Sequence, residues 1–339
     1  MFARSGHALI GSTLLLFAGV LLAQPGAAPP AKADLPPARD VVAARVNGQS
    51  LLEIAVYRAL SRVSGPRRAE ARAEVVSYLI DNMIIDQYLV QLKLPVDQKE
   101  VEEHVQKLRE DAAKEKIDLK TMLTKLYITE DELNSELVAA LRWDKFVIQQ
   151  GSDKVLQDMF AKNLDMFNGS RMQARHILIP VKDGKQAEAQ ASVAAIKRNI
   201  EMEVNQTLAQ LVPPPPDAIS MQKERAKTVE KTFAAAASKY STCPSAKEGG
   251  DLGYFRRAND MVEPFARAAF ALKLFEMSDP VSTEFGYHVI LAVDYKPGKE
   301  VKFEQAKPFV QEVYAERLRE AVLSAYKSKS KIEIFEAKK

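Results

Sequence analysis

The chain holds a single cysteine, Cys243, within the stretch KYSTCPSAKEGGDLGYF. An internal disulfide or a redox pair needs a second cysteine, so neither is available. A zinc site needs three or four ligands at workable spacing. Beyond residue 33 the only histidines are His104, His176 and His288, and His104 lies in the charged helical stretch EVEEHVQKLRED. These residues disfavour a metal site, and we expect no cofactor.

Two interpretations of Cys243 stay open from the residues alone. It could be a nucleophile activated by His176 or His288, because both imidazoles could approach it in the fold. It could also be an inert thiol, because free cysteine is often buried. Apolar residues crowd the same region of the chain, namely Leu252, Met261, Phe265 and Phe270. A shallow apolar pocket floored by two imidazoles, a thiol and a hydroxyl would suit a proline ring and its preceding carbonyl.

The elements around these residues predict an α+β unit over residues 171–297. The run MQARHILIP predicts a strand with His176 and Leu178 on one face. The other predicted strands are DLGYF, PVSTEF and YHVILAV, and the last two join tightly at Phe285-Gly286 as a hairpin. The predicted helices are AEAQASVAAIKRNIEMEV, FAAAASKY and EPFARAAFAL. Strands and helices in this order indicate a small, largely antiparallel sheet.

An insertion at residues 205–232 is predicted to interrupt this unit between its first two helices. Pro213 to Pro216 cannot be helical and predict an extended surface stretch. A solvated connector is favoured over a recognition role.

Helical patterns fill residues 34–170 and return in residues 298–339. Thr129, with Glu132 three residues later, predicts a capping box before a helix with Leu133, Leu137, Leu141 and Ile148 on one buried face. Two lone β-like runs, VVAARVNG and KIEIF, lie at opposite ends of this sequence. A short strand needs a partner for its backbone groups, so we expect the two runs to pair. The helix at 308–328 is then expected to pack on the N-terminal helices.

Residues 1–33 predict an export leader. Arg4 precedes the apolar run ALIGSTLLLFAGVLLA, which is too short for a comfortable membrane span and is followed by a Pro- and Ala-rich segment. An uncleaved N-terminal anchor is the alternative. The formal net charge of +3 gives no reason to expect a nucleic-acid partner.

The stretches ARHILI, YSTCPSAKEGGDLGYF and MVEPFARAAFALKLFEMSDPVSTEFGYHVI resemble a parvulin-type peptidyl-prolyl isomerase domain. The resemblance covers residues 171–297 except the insertion, and it implies a four-stranded, largely antiparallel sheet with surrounding helices. It also implies roles for seven positions: the paired core histidines His176 and His288, the central Cys243, the hydroxyl of Thr283, and a proline pocket of Leu252, Met261 and Phe265. The whole chain resembles the SurA- and PrsA-type exported chaperone-isomerases, whose helical domain is built from sequence on both sides of the parvulin unit.

The chain departs from the family pattern at two places. The family usually has glycine where LKLFEM places Phe275, and a left-handed turn is costly for phenylalanine, so we expect that turn to differ. Members that select phosphorylated substrates carry a basic cluster after the first strand. Here that stretch has only Lys182 and Lys185, so phosphate selectivity is not expected.

The resemblance implies a non-covalent isomerase acting on X–Pro bonds of unfolded or nascent exported polypeptides, with holding-chaperone activity and a location in the periplasm. The alternative is a non-catalytic peptide-binding module that uses the same fold.

Overall fold

The computed structural model describes residues 36–336, apart from residues 62, 64–66 and 115. The predicted leader lies outside these described residues. The chain divides into two compact units, the first comprising residues up to Asp158 and from Lys307 onward, and the second comprising Met159–Ala306.

The elements follow one another in mixed order along the chain. They are β1 (Val42–Val46), β2 (Gln49–Leu52), α1 (Glu53–Leu60), α2 (Arg68–Gln91), α3 (Gln98–Lys114), α4 (Leu119–Lys125), α5 (Glu130–Gln150), α6 (Asp153–Lys162), α7 (Leu164–Phe167), β3 (Arg171–Ile179), α8 (Gln186–Ala209), α9 (Ala218–Tyr240), a 3₁₀ helix (Pro244–Glu248), β4 (Asp251–Arg256), α10 (Glu263–Ala271), β5 (Val281–Thr283), β6 (Gly286–Lys296), α11 (Phe303–Tyr326), a 3₁₀ helix (Lys327–Lys329) and β7 (Ile332–Ile334).

The first unit contains a three-stranded sheet of order β2-β1-β7. β1 and β7 pair antiparallel, with Ala44 opposite Ile334 and Val46 opposite Ile332. This pairing confirms that the two lone β-like runs are partners. Helix α11 buries Val322 in a cluster with residues of α2 and α5, which confirms that the C-terminal helix packs on the N-terminal ones.

Local signals place helix α5 well but not its whole buried face. Thr129 accepts a hydrogen bond from the Glu132 backbone, and the Glu132 carboxylate accepts one from the Thr129 backbone, so the capping box is present. Leu133, Leu137 and Leu141 are buried as expected. Ile148, however, is 63% exposed.

The second unit is built on a four-stranded antiparallel sheet of order β4-β3-β6-β5. Successive side chains of a strand point to opposite faces. Ile177 of β3 packs with Val193 of α8 and Phe233 of α9 on one face. Ala174 of β3 packs with Phe265 of α10 on the other. The sheet therefore separates two apolar layers, and it confirms the predicted α+β class.

The predicted insertion at 205–232 is mostly helical. Helix α8 continues to Ala209, and α9 begins at Ala218 with the Asp217 carboxylate accepting from the Ser220 backbone at 2.7 Å. The four prolines lie in the non-helical tip between them. The end of the segment also belongs to the core, because Val229 and Thr232 are buried. The connector interpretation thus applies only to the tip.

The turn at Phe275 is left-handed after all, with a φ of +63°. Hydrogen bonds to β6 hold the backbone on both sides of the residue. The Phe275 N–H donates to the Ala292 carbonyl at 2.7 Å, and the Ala292 N–H donates to the Glu276 carbonyl at 3.3 Å. The expectation that this turn would differ was wrong, because the pairing with β6 offsets a conformational cost of about 1–2 kcal/mol.

Candidate functional site

His176 and His288 lie side by side on the same face of the sheet. β3 and β6 are paired so that Leu178 is opposite His288 and His176 is opposite Ile290, which makes the two histidines diagonal neighbours. Both are buried, at 5% and 4% exposure. Their Nδ1 atoms are 3.1 Å apart and their rings stack with an interplanar angle of 18°. The sequence-predicted pair is therefore brought into direct hydrogen-bond contact.

A hydroxyl group stands at each end of the histidine pair. The Thr283 Oγ1 atom, at the end of β5, lies 2.7 Å from the Nε2 atom of His288. The Ser245 Oγ atom, in the 3₁₀ helix Pro244–Glu248, lies 3.2 Å from the Nε2 atom of His176. All four ring nitrogens are thus engaged in one chain of hydrogen bonds from Ser245 to Thr283.

Burial keeps both imidazoles neutral at neutral pH. Desolvation lowers the pKa of His176 to about 4. Desolvation, with a smaller contribution from the neighbouring His176, lowers the pKa of His288 to about 4. A neutral imidazole has one donor nitrogen and one acceptor nitrogen, so a hydrogen bond between the two Nδ1 atoms needs one ring to donate and the other to accept.

The surrounding groups favour one direction of donation along this series of hydrogen bonds. If His176 donates through Nδ1, His288 must carry its proton on Nε2 and donate to Thr283, and the Ser245 hydroxyl donates to His176. The Thr283 hydroxyl accepts from the Phe285 N–H at 3.2 Å and has the Gly286 carbonyl at 3.4 Å as an acceptor for its own proton. This direction gives every proton in the chain an acceptor.

An apolar cluster contacts the histidine pair through Phe265, and its members Leu252, Met261 and Phe265 are called the apolar slot below. The ring of Phe265, in α10, meets His176 edge-to-face at 5.5 Å and His288 at 5.3 Å between centroids. Leu252 of β4 and Met261 pack in the same cluster as Phe265 and remain partly exposed. The three predicted pocket residues are therefore together, beside the two imidazoles.

The segment that carries Met261 is held by a buried arginine. Arg257, with a side chain only 3% exposed, donates to both carboxylate oxygens of Glu263 in the first turn of α10. It also lies 3.7 Å from the Asp165 carboxylate. These contacts fix both ends of the short segment between β4 and α10, and so fix one wall of the slot.

Cys243 lies at the start of the turn that delivers Ser245. Its backbone N–H donates to the Ser241 hydroxyl at 3.3 Å, and its side chain is half-buried. Among the residues that the structure describes, its sulfur has no hydrogen-bond partner. The hydrogen bond to His176 comes instead from Ser245, a residue that the sequence analysis did not single out.

The turn can approach the histidines because it ends in two glycines. Gly249 and Gly250 have φ values of +68° and +77°. A Cβ atom on Gly250 would lie 2.3 Å from the His176 carbonyl oxygen, a distance that no side chain tolerates. The His176 N–H donates to the Gly250 carbonyl at 2.9 Å. The glycine pair was the one sequence signal for a close approach at this point.

Within the described ranges, no group of three or more His, Cys, Asp or Glu side chains could hold a metal ion. No helix among those residues is both long and apolar enough to cross a membrane.

The four-stranded antiparallel sheet, with a hydrogen-bonded histidine pair beside clustered apolar side chains, agrees with the resemblance of the sequence to a parvulin-type domain. Residues 217–294 match the model of the Rotamase family, described as the PPIC-type PPIASE domain. The chain therefore carries a PPIC-type peptidyl-prolyl isomerase domain. The matched residues include Cys243, Thr283 and His288, whereas His176 lies before them.

The chain is also similar to several named foldases. It is 49% identical over 74 residues to the foldase protein PrsA of Bacillus subtilis, which covers 20% of this chain and 25% of that protein. It is 30% identical over 190 residues to PrsA of Geobacillus kaustophilus, covering 54% of this chain and 61% of that one. A crystal structure of PrsA from Bacillus anthracis, 20% identical, aligns over 74% of this chain and 96% of that one with a TM-score of 0.38. The alignments to these two curated relatives span between a quarter and about three fifths of their lengths.

Proposed function

We propose that this chain is a peptidyl-prolyl cis-trans isomerase that acts without covalent bonds on X–Pro bonds of unfolded, exported polypeptides. The observation that carries the proposal is the chain of hydrogen bonds from Ser245 through both histidines to Thr283, set directly against the apolar slot. The foldases to which the chain is similar support a role in protein folding.

The chemistry requires a twisted amide to be bound better than a planar one. Amide resonance sets a barrier of about 20 kcal/mol to rotation about the X–Pro bond. Only interactions that strengthen in the twisted state lower that barrier. The slot of Leu252, Met261 and Phe265 would hold the proline ring still while the preceding carbonyl rotates.

The neutral histidine pair suits this reaction. Lost conjugation leaves the proline nitrogen more basic and the carbonyl less amide-like, and preorganised dipoles in a site with little water favour that state. Two uncharged imidazoles in a fixed tautomeric order supply such dipoles without the solvation cost of a buried charge. His176, His288 and Thr283 would act as this ordered array, and Cys243 as a polar group beside it that biases the electrostatics.

Turnover of a short X–Pro peptide tests the proposal. A protease that cleaves only the trans isomer reports the rate of isomerisation, and the mature chain should accelerate it. His288→Asn and Phe265→Ala should both reduce kcat/KM, while the exposed Arg225→Lys should not. A folded chain that binds the peptide and gives no acceleration would instead identify a peptide-binding module.

We further propose that the protein holds unfolded clients outside the cytoplasm. The leader pattern of residues 1–33 and the similarity to foldases support this location and role. Fractionation of cells should recover the chain in the periplasm, either free or held by an uncleaved leader. The mature chain should also suppress aggregation of a refolding client that lacks prolines. Full-length protein found soluble in the cytoplasm with residues 1–23 retained would contradict export.

A further inference from the structure

The Ser245 contact depends on the turn of residues 243–250, which few neighbours hold: the Ser238 hydroxyl of α9 donates to the Ala246 carbonyl at 2.9 Å, and the His176 N–H donates to the Gly250 carbonyl at 2.9 Å. Inside residues 243–250 the hydrogen bonds are local: Ala246 N–H to the Cys243 carbonyl at 2.9 Å, Gly249 N–H to the Ala246 carbonyl at 3.0 Å, and Gly250 N–H to the Ser245 carbonyl at 2.8 Å. Such bonds fix the shape of the turn and leave its position open. Something outside the turn must set the distance between Ser245 and His176.

Arg175, the neighbour of His176 on β3, adds a charged connection to the turn from the other face of the sheet. Its Nη1 atom donates to the Glu248 carbonyl at 2.9 Å and to the Gly249 carbonyl at 3.2 Å. These are consecutive carbonyls at the end of the 3₁₀ helix that carries Ser245. The same strand therefore meets the turn twice, through the Arg175 guanidinium and through the His176 ring and backbone.

The guanidinium is itself held on its remaining side. Its Nε and Nη2 atoms both donate to one Glu230 carboxylate oxygen, at 3.3 and 3.1 Å, and Nη2 lies 3.5 Å from the Asp251 carboxylate. The Arg175 side chain is only 16% exposed. Glu230 belongs to α9, and Asp251 opens β4, so the fork joins the two elements that flank the turn.

We propose that Arg175 is a positioning residue that holds the 243–250 turn so that Ser245 orders the tautomers of the histidine pair. A planar guanidinium presents donors along several fixed directions, whereas a lysine ammonium is a point charge without that fork. Lysine could keep the ion pair with Glu230 and would lose the simultaneous bonds to the two carbonyls. The turn would then shift, and the proton between His176 and His288 would no longer stay on the Nδ1 atom of His176. The pair would populate a mixture of tautomers.

This inference rests on the proposed isomerase activity, but its first readout does not. In the mature chain, imidazole ¹⁵N shifts should place the wild-type proton on Nδ1 of His176 and on Nε2 of His288. Arg175→Lys should give a mixture of tautomers, and Arg225→Lys, which affects a contact with Asn205 on the same helix pair, should not. If the wild-type protein has no turnover, this measurement still decides the role of Arg175.

The kinetic readout separates positioning from substrate binding. Arg175→Lys should lower kcat about tenfold and leave KM within about twofold, because the slot residues lie on other elements. Ser245→Ala should do the same, and the double variant should be no slower than Ser245→Ala alone. If Arg175→Lys fails to fold, Glu230→Gln tests the same connection and should give a smaller change in the same direction. Wild-type tautomers and wild-type kcat in a folded Arg175→Lys variant would overturn the proposal, as would additive losses in the double variant.

Discussion

The Nδ1 atoms of His176 and His288 face each other at 3.1 Å, and each imidazole has its remaining nitrogen on a hydroxyl. In this contact one ring donates and the other accepts when both rings are neutral. Protonating His288 would place a second donor in the contact, and protonating His176 would place a donor opposite the Ser245 hydroxyl, so the pair couples the site to pH through geometry as well as through burial.

Acid should destabilise the second unit below about pH 6.5. An unfolded histidine has a pKa near 6.5, whereas burial lowers the pKa of both His176 and His288 to about 4. Between these values the unfolded chain binds more protons than the folded one, so the free energy of unfolding rises with pH and is lost as the pH falls from 6.5 toward 4. Each histidine can contribute a slope of at most about 1.4 kcal/mol per pH unit.

The measurement is the urea midpoint of the second unit, followed by its own NMR resonances at pH 7.5 and pH 5. The only tryptophan, Trp143, lies in the first unit and reports on that unit alone. In the first unit, burial raises the pKa of Asp144 to about 6, so the contribution of Asp144 to the free energy of unfolding falls as the pH rises. This pH dependence is opposite to that of the two histidines. Asp144→Asn is therefore the control that removes the opposing contribution. Equal midpoints for the second unit at both pH values would contradict the expectation.

Thr283→Val should reduce both stability and turnover, whereas Thr283→Ser should retain both. Valine matches the shape of threonine but leaves the His288 Nε2–H without an acceptor, at a cost of about 1–3 kcal/mol. Serine keeps the oxygen atom. The measurements are the free energy of unfolding and kcat/KM on an X–Pro peptide. A Thr283→Val variant as active as the wild type would remove the hydroxyl from the proposed mechanism.

Removing residues 307–339 should unfold the first unit and spare the second. The deletion takes away β7, which pairs with β1 on the side opposite β2, and the α11 residues Val322 and Leu323 that pack against α2. Burying one such side chain contributes about 1.5–3 kcal/mol, so the loss approaches the whole stability of a small domain. Hydrogen exchange should show loss of protection before residue 159 and retention after it. A truncated chain that melts like the intact one would contradict this.

Strand pairing in the first unit was predictable because the demand is general. A lone short strand needs a partner for its backbone groups, and the helical part of the sequence contained one other β-like run. The capping box at Thr129 was predictable because it is local to four residues. The prediction that Ile148 is buried was wrong, because burial beyond Leu141 depends on which helices pack there. Phe146 and Val147 are buried instead, and Phe146 lies in the cluster that includes Val322 of the distant α11.

The site was predictable in its residue types but not in its connections. The resemblance to the parvulin family indicated the histidines, the hydroxyl and the slot residues, and the structure brings these side chains together. Ser245 was missed because its contact depends on the path of a turn, which is set by two left-handed glycines and by Arg175. Phe275 was misjudged for a related reason, since its backbone is held by hydrogen bonds to β6 that local sequence does not contain.

The outer part of the α8–α9 hairpin should be dispensable for turnover. Arg225 of α9 donates from Nη1 to the Asn205 Oδ1 atom of α8 at 3.1 Å, so the two helices are close at this level. A short Gly/Ser loop can therefore replace residues 206–224 with little strain. We expect a change in kcat/KM of less than tenfold, or about 1.4 kcal/mol of barrier. Replacing 205–232 instead removes Val229, Glu230 and Thr232, and should destabilise the second unit. A large loss from the shorter replacement would mean that the tip shapes the site.

Cys243→Asp should fold and keep substantial turnover, while Cys243→Ala should lose part of it. The family that the sequence resembles has either cysteine or aspartate at this position, and a carboxylate cannot replace a thiolate nucleophile with like chemistry. The structure adds a second reason, because the sulfur has no hydrogen-bond contact with either imidazole among the described residues, and the nitrogen nearest this turn is occupied by Ser245. A nucleophile without a base in contact is poorly activated.

The decisive measurement is kcat/KM on an X–Pro peptide for Cys243→Asp, with circular dichroism to confirm the fold. Removing an attacking atom typically costs several orders of magnitude, so a folded Asp variant without turnover would support a nucleophile. Ser245→Ala is the matched control, since it removes a hydroxyl from the same turn and leaves the thiol in place. If Cys243 acts through the electrostatics of the histidine pair, the Asp variant should shift the pH dependence of kcat toward higher pH. A carboxylate beside the pair stabilises the imidazolium form, and that form then persists to higher pH. An unchanged pH profile with unchanged turnover would leave Cys243 without a part in the reaction.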